Sequence, residues 1–173
     1  IGTGDWSSDV CSSDLEENGI WTDTFLGTQT IFFNEILWDA MVENMYNVFG
    51  SAGAVFLYQS GLGAGEEIAK VAIERTGSNE SAPLFSLAAQ AGWGRYSKET
   101  DPDDADHILI KSERNFFCDS CHKSETDHVC PFVRGFLTGV FSELAGVSHS
   151  LEIRCCYIHG GVENSTFSLK SNE

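Results

Sequence analysis

Cys118-Asp-Ser-Cys121-His122, followed by His128 and Cys130, gathers three sulfurs and two imidazoles into thirteen residues. Zinc asks for four nitrogen or sulfur ligands in a tetrahedron, and a C-x-x-C pair supplies two thiolates with little strain. Cys118, Cys121 and Cys130, with His128, His122 or Cys155 as the fourth ligand, would close such a site. The same spacing allows a reversible disulfide between Cys118 and either Cys121 or Cys130, which needs an accessible thiol of lowered pKa. Inert loop cysteines are the plain alternative. Cys118-x-x-Cys121-His122 also spells a c-type haem attachment motif. That use requires export and a distal ligand, and the motif falls in a loop between a strand and a helix, so no organic cofactor is expected.

Other chemistry is thin. No nucleophile stands beside a general base, and the five histidines fall in loops rather than in a triad, so the chain does not read as an enzyme. Asp101-Pro-Asp-Asp-Ala-Asp106 offers four carboxylates, but without the alternating order and the glycine of a calcium loop it reads as a solvated hairpin end. Gly61-Leu-Gly-Ala-Gly65 lacks the Gly-Lys-Ser/Thr ending of a phosphate loop, and no clear strand precedes it.

The elements that position these residues follow from periodicity. Phe33, Ile36, Leu37, Ala40, Met41, Met45 and Val48 keep the three-and-four spacing of an amphipathic helix that Gly50 ends. Gly53 to Arg75 reads as a second helix, with Gly61 and Gly65 on one stripe. A short helix starts at Pro83 and stops at Gly92. Trp93–Glu99 and His107–Phe117 are candidate strands of one hairpin. Pro131 suits a first helical turn, where its missing N–H has no partner to lose, and Gly146 caps the end, so a helix spans Pro131–Leu144. Gly135 and Gly139 stripe that helix, which favours close approach of another backbone at a propensity cost of about 1 kcal/mol per glycine. Leu151, Ile153, Cys155 and Tyr157 alternate with polar residues as a half-buried strand, and Thr166–Lys170 alternates again. The expected fold class is therefore α+β: N-terminal helices packed on a roughly four-stranded antiparallel sheet, with a long helix between two β-hairpins.

At 173 residues, 42% apolar and 12% aromatic, the chain suits one domain with a real core. Asp5–Leu15 (DWSSDVCSSDL) reads as an in-frame translation of a common sequencing-library adapter. Residues 1–15 are accordingly expected to be disordered, 16–31 to be an N-terminal extension, and 32–170 to form the ligand-binding domain. Setting 1–15 aside removes three aspartates and moves the net charge from −16 to −13. So acidic a chain repels phosphate backbones, which argues against direct nucleic-acid binding. No apolar run approaches the roughly 20 residues that span a bilayer. Without Cys11 the cysteines are odd in number, and the C-x-x-C beside histidines points to a reducing compartment, so a cytoplasmic protein is expected.

Three motifs in order carry a resemblance. Gly53-Ala-Val-Phe-Leu-Tyr58 with Gly61 and Gly65, Cys130-Pro-Phe-Val-Arg-Gly-Phe-Leu-Thr-Gly-Val-Phe-Ser142, and Glu152-x-x-Cys155 before a glycine turn and Phe167 resemble the 4-vinyl reductase domain family of prokaryotic hydrocarbon-binding proteins. The resemblance runs from about Phe32 to Leu169. It implies a fold shared with TRAPP vesicle-tethering subunits, an apolar pocket and a homodimer, which the two glycine stripes also favour. In the family's phenol sensors a structural zinc is held by four residues, and three of these positions fall on Cys130, Glu152 and Cys155. The fourth falls near Ser165, a poor zinc ligand, and the doubled Cys155-Cys156 leaves either sulfur as the strand ligand.

The candidate metal ligands are thus Cys118, Cys121, Cys130, His128, Glu152 and Cys155. Apolar ligands need a concave, mostly hydrophobic wall, and Trp38, Phe56, Tyr58, Phe117, Phe132 and Phe136 are the candidate ligand-binding residues, with Phe32 and Phe116 also available. Arg134 is equally suited to a structural ion pair or a ligand clamp. The function expected is a sensory or regulatory domain for a small hydrophobic or aromatic molecule, with zinc as a possible structural ion. The alternatives are a metal- or thiol-based redox sensor without organic ligand, and an accessory protein of tetrapyrrole biosynthesis.

Overall fold

The computed structural model describes residues 13–15, 21–23, 25–30, 34–102, 104, 107–117, 130–155 and 164–172. Three short strands come first: β1 (Ser13–Leu15), β2 (Trp21–Asp23) and β3 (Thr28–Thr30). They form one antiparallel sheet in the order β1-β2-β3. β2 and β3 fall within the 16–31 extension, and of residues 1–15 only 13–15 are described. Backbone pairing needs little side-chain hydrophobicity, and the β2–β3 turn is well built. The Asp23 carboxylate accepts the Leu26 N–H at 2.6 Å, and the Asp23 carbonyl accepts the Gly27 N–H at 2.7 Å. Gly27 sits at φ +62, where a Cβ would also overlap the Arg75 guanidinium.

Helix α1 (Glu35–Phe49) begins at Asn34, whose side-chain oxygen accepts the Leu37 N–H at 2.9 Å. It buries Trp38 and Val42. Helix α2 (Ala52–Thr76) buries Gly53, Leu57, Gly61, Gly65, Ala69 and Ala72, a stripe at helical spacing made of small residues apart from Leu57. Helix α3 (Ala82–Gln90) carries Pro83 in its first turn. Strands β4 (Arg95–Thr100) and β5 (His107–Glu113) follow, then helix α4 (Pro131–Ala145) and strands β6 (His149–Cys155) and β7 (Ser165–Ser171). The four later strands form an antiparallel sheet in the order β4-β5-β7-β6. The α+β architecture and the four-stranded sheet are those expected from periodicity.

Two strand ends fall short of expectation, for a local reason. Gly94 (φ +117) and Arg114 (φ +49) both leave the β region, so β4 starts after Trp93 and β5 stops before Phe117. Asn115 then caps a helical turn, its side-chain oxygen accepting the Phe117 N–H at 3.0 Å.

The core lies between α4 and the sheet. Ile110 faces Phe167 and Leu151 faces Leu169 across strands, and these side chains join Val133, Leu137, Val140 and Leu144 of α4 in one cluster. On its neighbouring side α4 meets α2 backbone to backbone. A Cβ at Gly61 or Gly65 would overlap the carbonyl of Phe132 or Phe136, and one at Gly135 or Gly139 the carbonyl of Tyr58 or Leu62. The two stripes therefore face each other within the chain, so they no longer favour a homodimer.

Candidate functional site

An apolar cavity of about 530 Å³ lies where α1, α3 and the first half of α4 approach the β2–β3 hairpin. Trp38 enters from α1, Ile68 from α2, Leu84, Leu87 and Ala88 from α3, and Phe132 and Phe136 from α4. Trp93, Phe116 and Phe117 close the side next to the sheet, and Asp23, Leu26 and Thr30 of the hairpin close another. The register pairs Asp23 with Thr28 and Trp21 with Thr30, so Asp23 and Thr30 share one face of the hairpin.

Phe117 is the hub of the aromatic wall. Its ring centroid lies 4.9 Å from Trp38, 5.0 Å from Trp93, 5.1 Å from Phe116 and 4.8 Å from Phe132. Three of these contacts are edge-to-face, an arrangement worth about 0.5–1.5 kcal/mol per pair beyond area burial. Trp93 meets Phe136 in the same way at 5.2 Å. The hub is held from behind by a buried polar node. The Asn115 side-chain amide donates to the Tyr96 oxygen at 2.9 Å and to the Ser112 hydroxyl at 3.2 Å. Burial pushes the Tyr96 phenol well above its ordinary pKa, so it stays neutral through the physiological range.

No family model matches the chain, and no protein of assigned function matches it by sequence. Solved structures do match. The phenol-responsive sensory domain of the transcription activator PoxR, solved with phenol, superposes with a TM-score of 0.72 over 89% of this chain and 81% of its own, at 17% identity. Trafficking protein particle complex subunit 3 from Naegleria fowleri, covalently bound to palmitic acid, gives 0.57 over 80% and 93%, at 13% identity. The chain shares their fold. A vinyl-4-reductase family protein from Methanocaldococcus jannaschii gives 0.49 over 83% and 100%, at 16% identity.

Within this shared fold, four of the six aromatics singled out in the sequence border one cavity: Trp38, Phe117, Phe132 and Phe136. Phe56 and Tyr58 do not. The buried stripe of α2 runs through Leu57, in phase with Gly53 and Gly61, which turns Phe56 out to solvent at 58% exposure. Tyr58 turns the other way, onto a separate groove with Leu62, Thr138 and Ser142. Arg134 does not border the cavity, and Phe32 lies outside the described residues.

Of the candidate metal ligands, Cys118, Cys121, His122, His128, Cys156 and the side chain of Cys155 lie outside the described residues. Cys130 is buried in the core cluster at φ +47, immediately before α4, and is disulfide-bonded. Glu152 is exposed on β6, on the strand face opposite the buried Leu151. Among the described residues no three metal-ligating side chains converge. Asp101, weighed above for calcium, is buried and paired with Arg154. No helix among the described residues is long and apolar enough to cross a membrane.

The sequence reading missed Asp23, Leu26 and Thr30. Their signal was present in Trp21-Thr-Asp and Thr28-Gln-Thr, two short β-prone segments joined by four residues ending in glycine. It also missed Trp93, which had been assigned to a strand.

Proposed function

We propose that the chain is a sensory domain that binds a small apolar or aromatic molecule in the cavity and reports occupancy through the elements around it. The observation that carries this is the composition of the wall: six stacked and edge-on aromatic residues with, among the described residues, Asp23 and Thr30 as its polar side chains, in a volume that suits a small organic ligand. That structures of this fold hold phenol or an acyl chain supports the same reading. Ligand binding to the folded state alone raises stability by about 2.7 kcal/mol at a hundredfold excess over Kd. Phenol titration should therefore raise the melting temperature and change the fluorescence of Trp38 and Trp93, and Ala88→Leu, which fills the cavity, should abolish both responses. Unchanged melting and fluorescence with phenol, toluene and decanoic acid alike would sink the proposal.

A second reading has its own observation. Cys130 is disulfide-bonded directly before the helix that carries Phe132 and Phe136, so thiol oxidation could be read at the cavity. A sulfur engaged in a disulfide does not ligate zinc, so a zinc site using Cys130 belongs to the reduced protein. Metal analysis of reduced protein tests it: zinc lost in Cys130→Ser supports the metal form, and metal-free protein with thiols that oxidise reversibly supports the redox form.

The homodimer keeps one support. Ile36, Val48 and Phe49 of α1 and Val55 of α2 are large apolar residues at 80%, 71%, 61% and 63% exposure. A second copy of the chain is the partner read for these exposed side chains. Light scattering that returned only monomer at tens of micromolar (about the range where a weak interface fills) would remove it.

A further inference from the structure

A second cleft, of about 680 Å³ and polar in character, opens beside the apolar cavity, and Gly92 borders both. Its walls carry Arg95 at the start of β4, Arg114 just past β5, and Asn164 before β7. The chain has 26 acidic residues against 10 lysines and arginines, so partners for a guanidinium are plentiful. Among the described residues, neither the Arg95 nor the Arg114 side chain makes an ion pair or hydrogen bond. Glu113 also lines the cleft, in register with Arg95 across the strands, and reduces the local charge to a single positive one.

The backbone here brings the two arginines to the same cleft. Gly94 sits at φ +117, and a Cβ there would press on the carbonyls of Glu113 and Arg114. Arg114 is held at φ +49, a left-handed position that costs a non-glycine residue about 1–2 kcal/mol. The Asn115 cap on the next turn fixes it.

We propose that this cleft is an anion site that takes the carboxylate of a ligand whose apolar body occupies the adjoining cavity, which makes the ligand an amphipathic organic acid. The inference rests on the cavity being the ligand site. A planar guanidinium presents paired donors that match a carboxylate, and such charge-assisted bonds are about twice as strong as neutral ones. Small carboxylic acids are ionised near neutral pH. Asp23 repels an anion at the hairpin side of the cavity, so the charged end is directed toward Gly92 and the arginines.

The test compares phenylacetate and the longer phenylbutyrate with their primary amides, by titration calorimetry on the whole chain near neutral pH. At least one acid should bind about tenfold more tightly than its amide, a preference that falls with added salt. Arg95→Gln and Arg114→Gln should each remove most of that preference and leave amide binding unchanged, with melting temperature confirming that each variant folds. If amides bind and acids gain nothing, or if the preference survives in the double variant, the anion site is wrong while the cavity reading stands. If neither class binds, the cavity reading falls and this inference with it. The wild-type comparison decides even where a variant fails to fold.

Discussion

Two faces of α4 do opposite things within one helical turn. Gly135 and Gly139 press against α2 with no side chain between the backbones, whereas Phe132 and Phe136 stand at an open cavity. Both pairs are spaced four apart, so periodicity alone gives them the same rank. The seam has no rotamer to adjust, and any change in α2–α4 spacing would separate carbonyls and Cα atoms directly. The aromatic face can reorient rings at little backbone cost. On the proposed reading, a ligand in the cavity would act on α1, α3 and the β2–β3 hairpin while α2 and α4 stay fixed as a reference.

The seam is the place to break this contrast most severely. A Cβ at residue 135 would overlap the Tyr58 carbonyl and crowd the Leu62 nitrogen at 2.8 Å, with no flexible atom to give way. Gly135→Val should cost about 3 kcal/mol or more, or prevent cooperative folding, as read from urea denaturation. A loss below about 1 kcal/mol would mean that the two helices are not in backbone contact.

The polar node behind Phe117 comes next. Asn115→Ala removes the cap on the Phe116–Phe117 turn and strips Tyr96 and Ser112 of a shared donor, with an expected cost of about 2 kcal/mol. Tyr96 adds a pH signature. Its phenol pKa is raised by burial above the ordinary 10.0, so the stability tied to the neutral phenol is complete below pH 10 and is lost as pH rises above it. The slope is about 1.4 kcal/mol per pH unit for one coupled proton. Urea midpoints measured into the alkaline range should fall more gently for Tyr96→Phe than for the unaltered chain.

The contrast also explains what the sequence disclosed. Helices α1 to α4 and the four-stranded sheet were legible because long runs of three-and-four or alternating spacing leave little freedom. The phase of α2 was harder. Val55-Phe56-Leu57-Tyr58 is apolar throughout, and only the glycines at 53, 61 and 65 show that Leu57 is inward and Phe56 is not. The stripes themselves suggested a dimer, because nothing in a linear pattern says that two stripes of one chain will find each other. The hairpin was missed for another reason. Its strands are three residues each, too short for a period to register, and what fixes them is the Asp23 turn and the Arg75 guanidinium over Gly27. Of the Cys-rich stretch, the described residues hold Cys130 alone, so its chemistry rests on spacing and on that disulfide.

A milder probe sharpens the aromatic side. Phe136→Leu keeps an apolar wall, so it should cost about 1 kcal/mol in stability while widening the cavity and weakening binding of a small aromatic probe. Thermal melts with and without phenol separate the two effects. Equal stability loss with and without ligand would show that Phe136 packs the fold without touching the bound molecule.

The smallest expected effect has the opposite sign and tests the seam by its complement. Gly63 lies on α2 midway between the seam glycines Gly61 and Gly65, yet a Cβ there meets nothing within 4 Å. At this position glycine carries only its helix-propensity cost and makes no close contact. Gly63→Ala should therefore stabilise the chain by about 0.5–1 kcal/mol, whereas Gly61→Ala, two residues away, should destabilise it. Opposite shifts in the urea midpoint would locate the packed face of α2 to within one residue. A loss in both variants would place Gly63 in contact as well, and the division of these helices into a closed seam and an open wall would have to be redrawn.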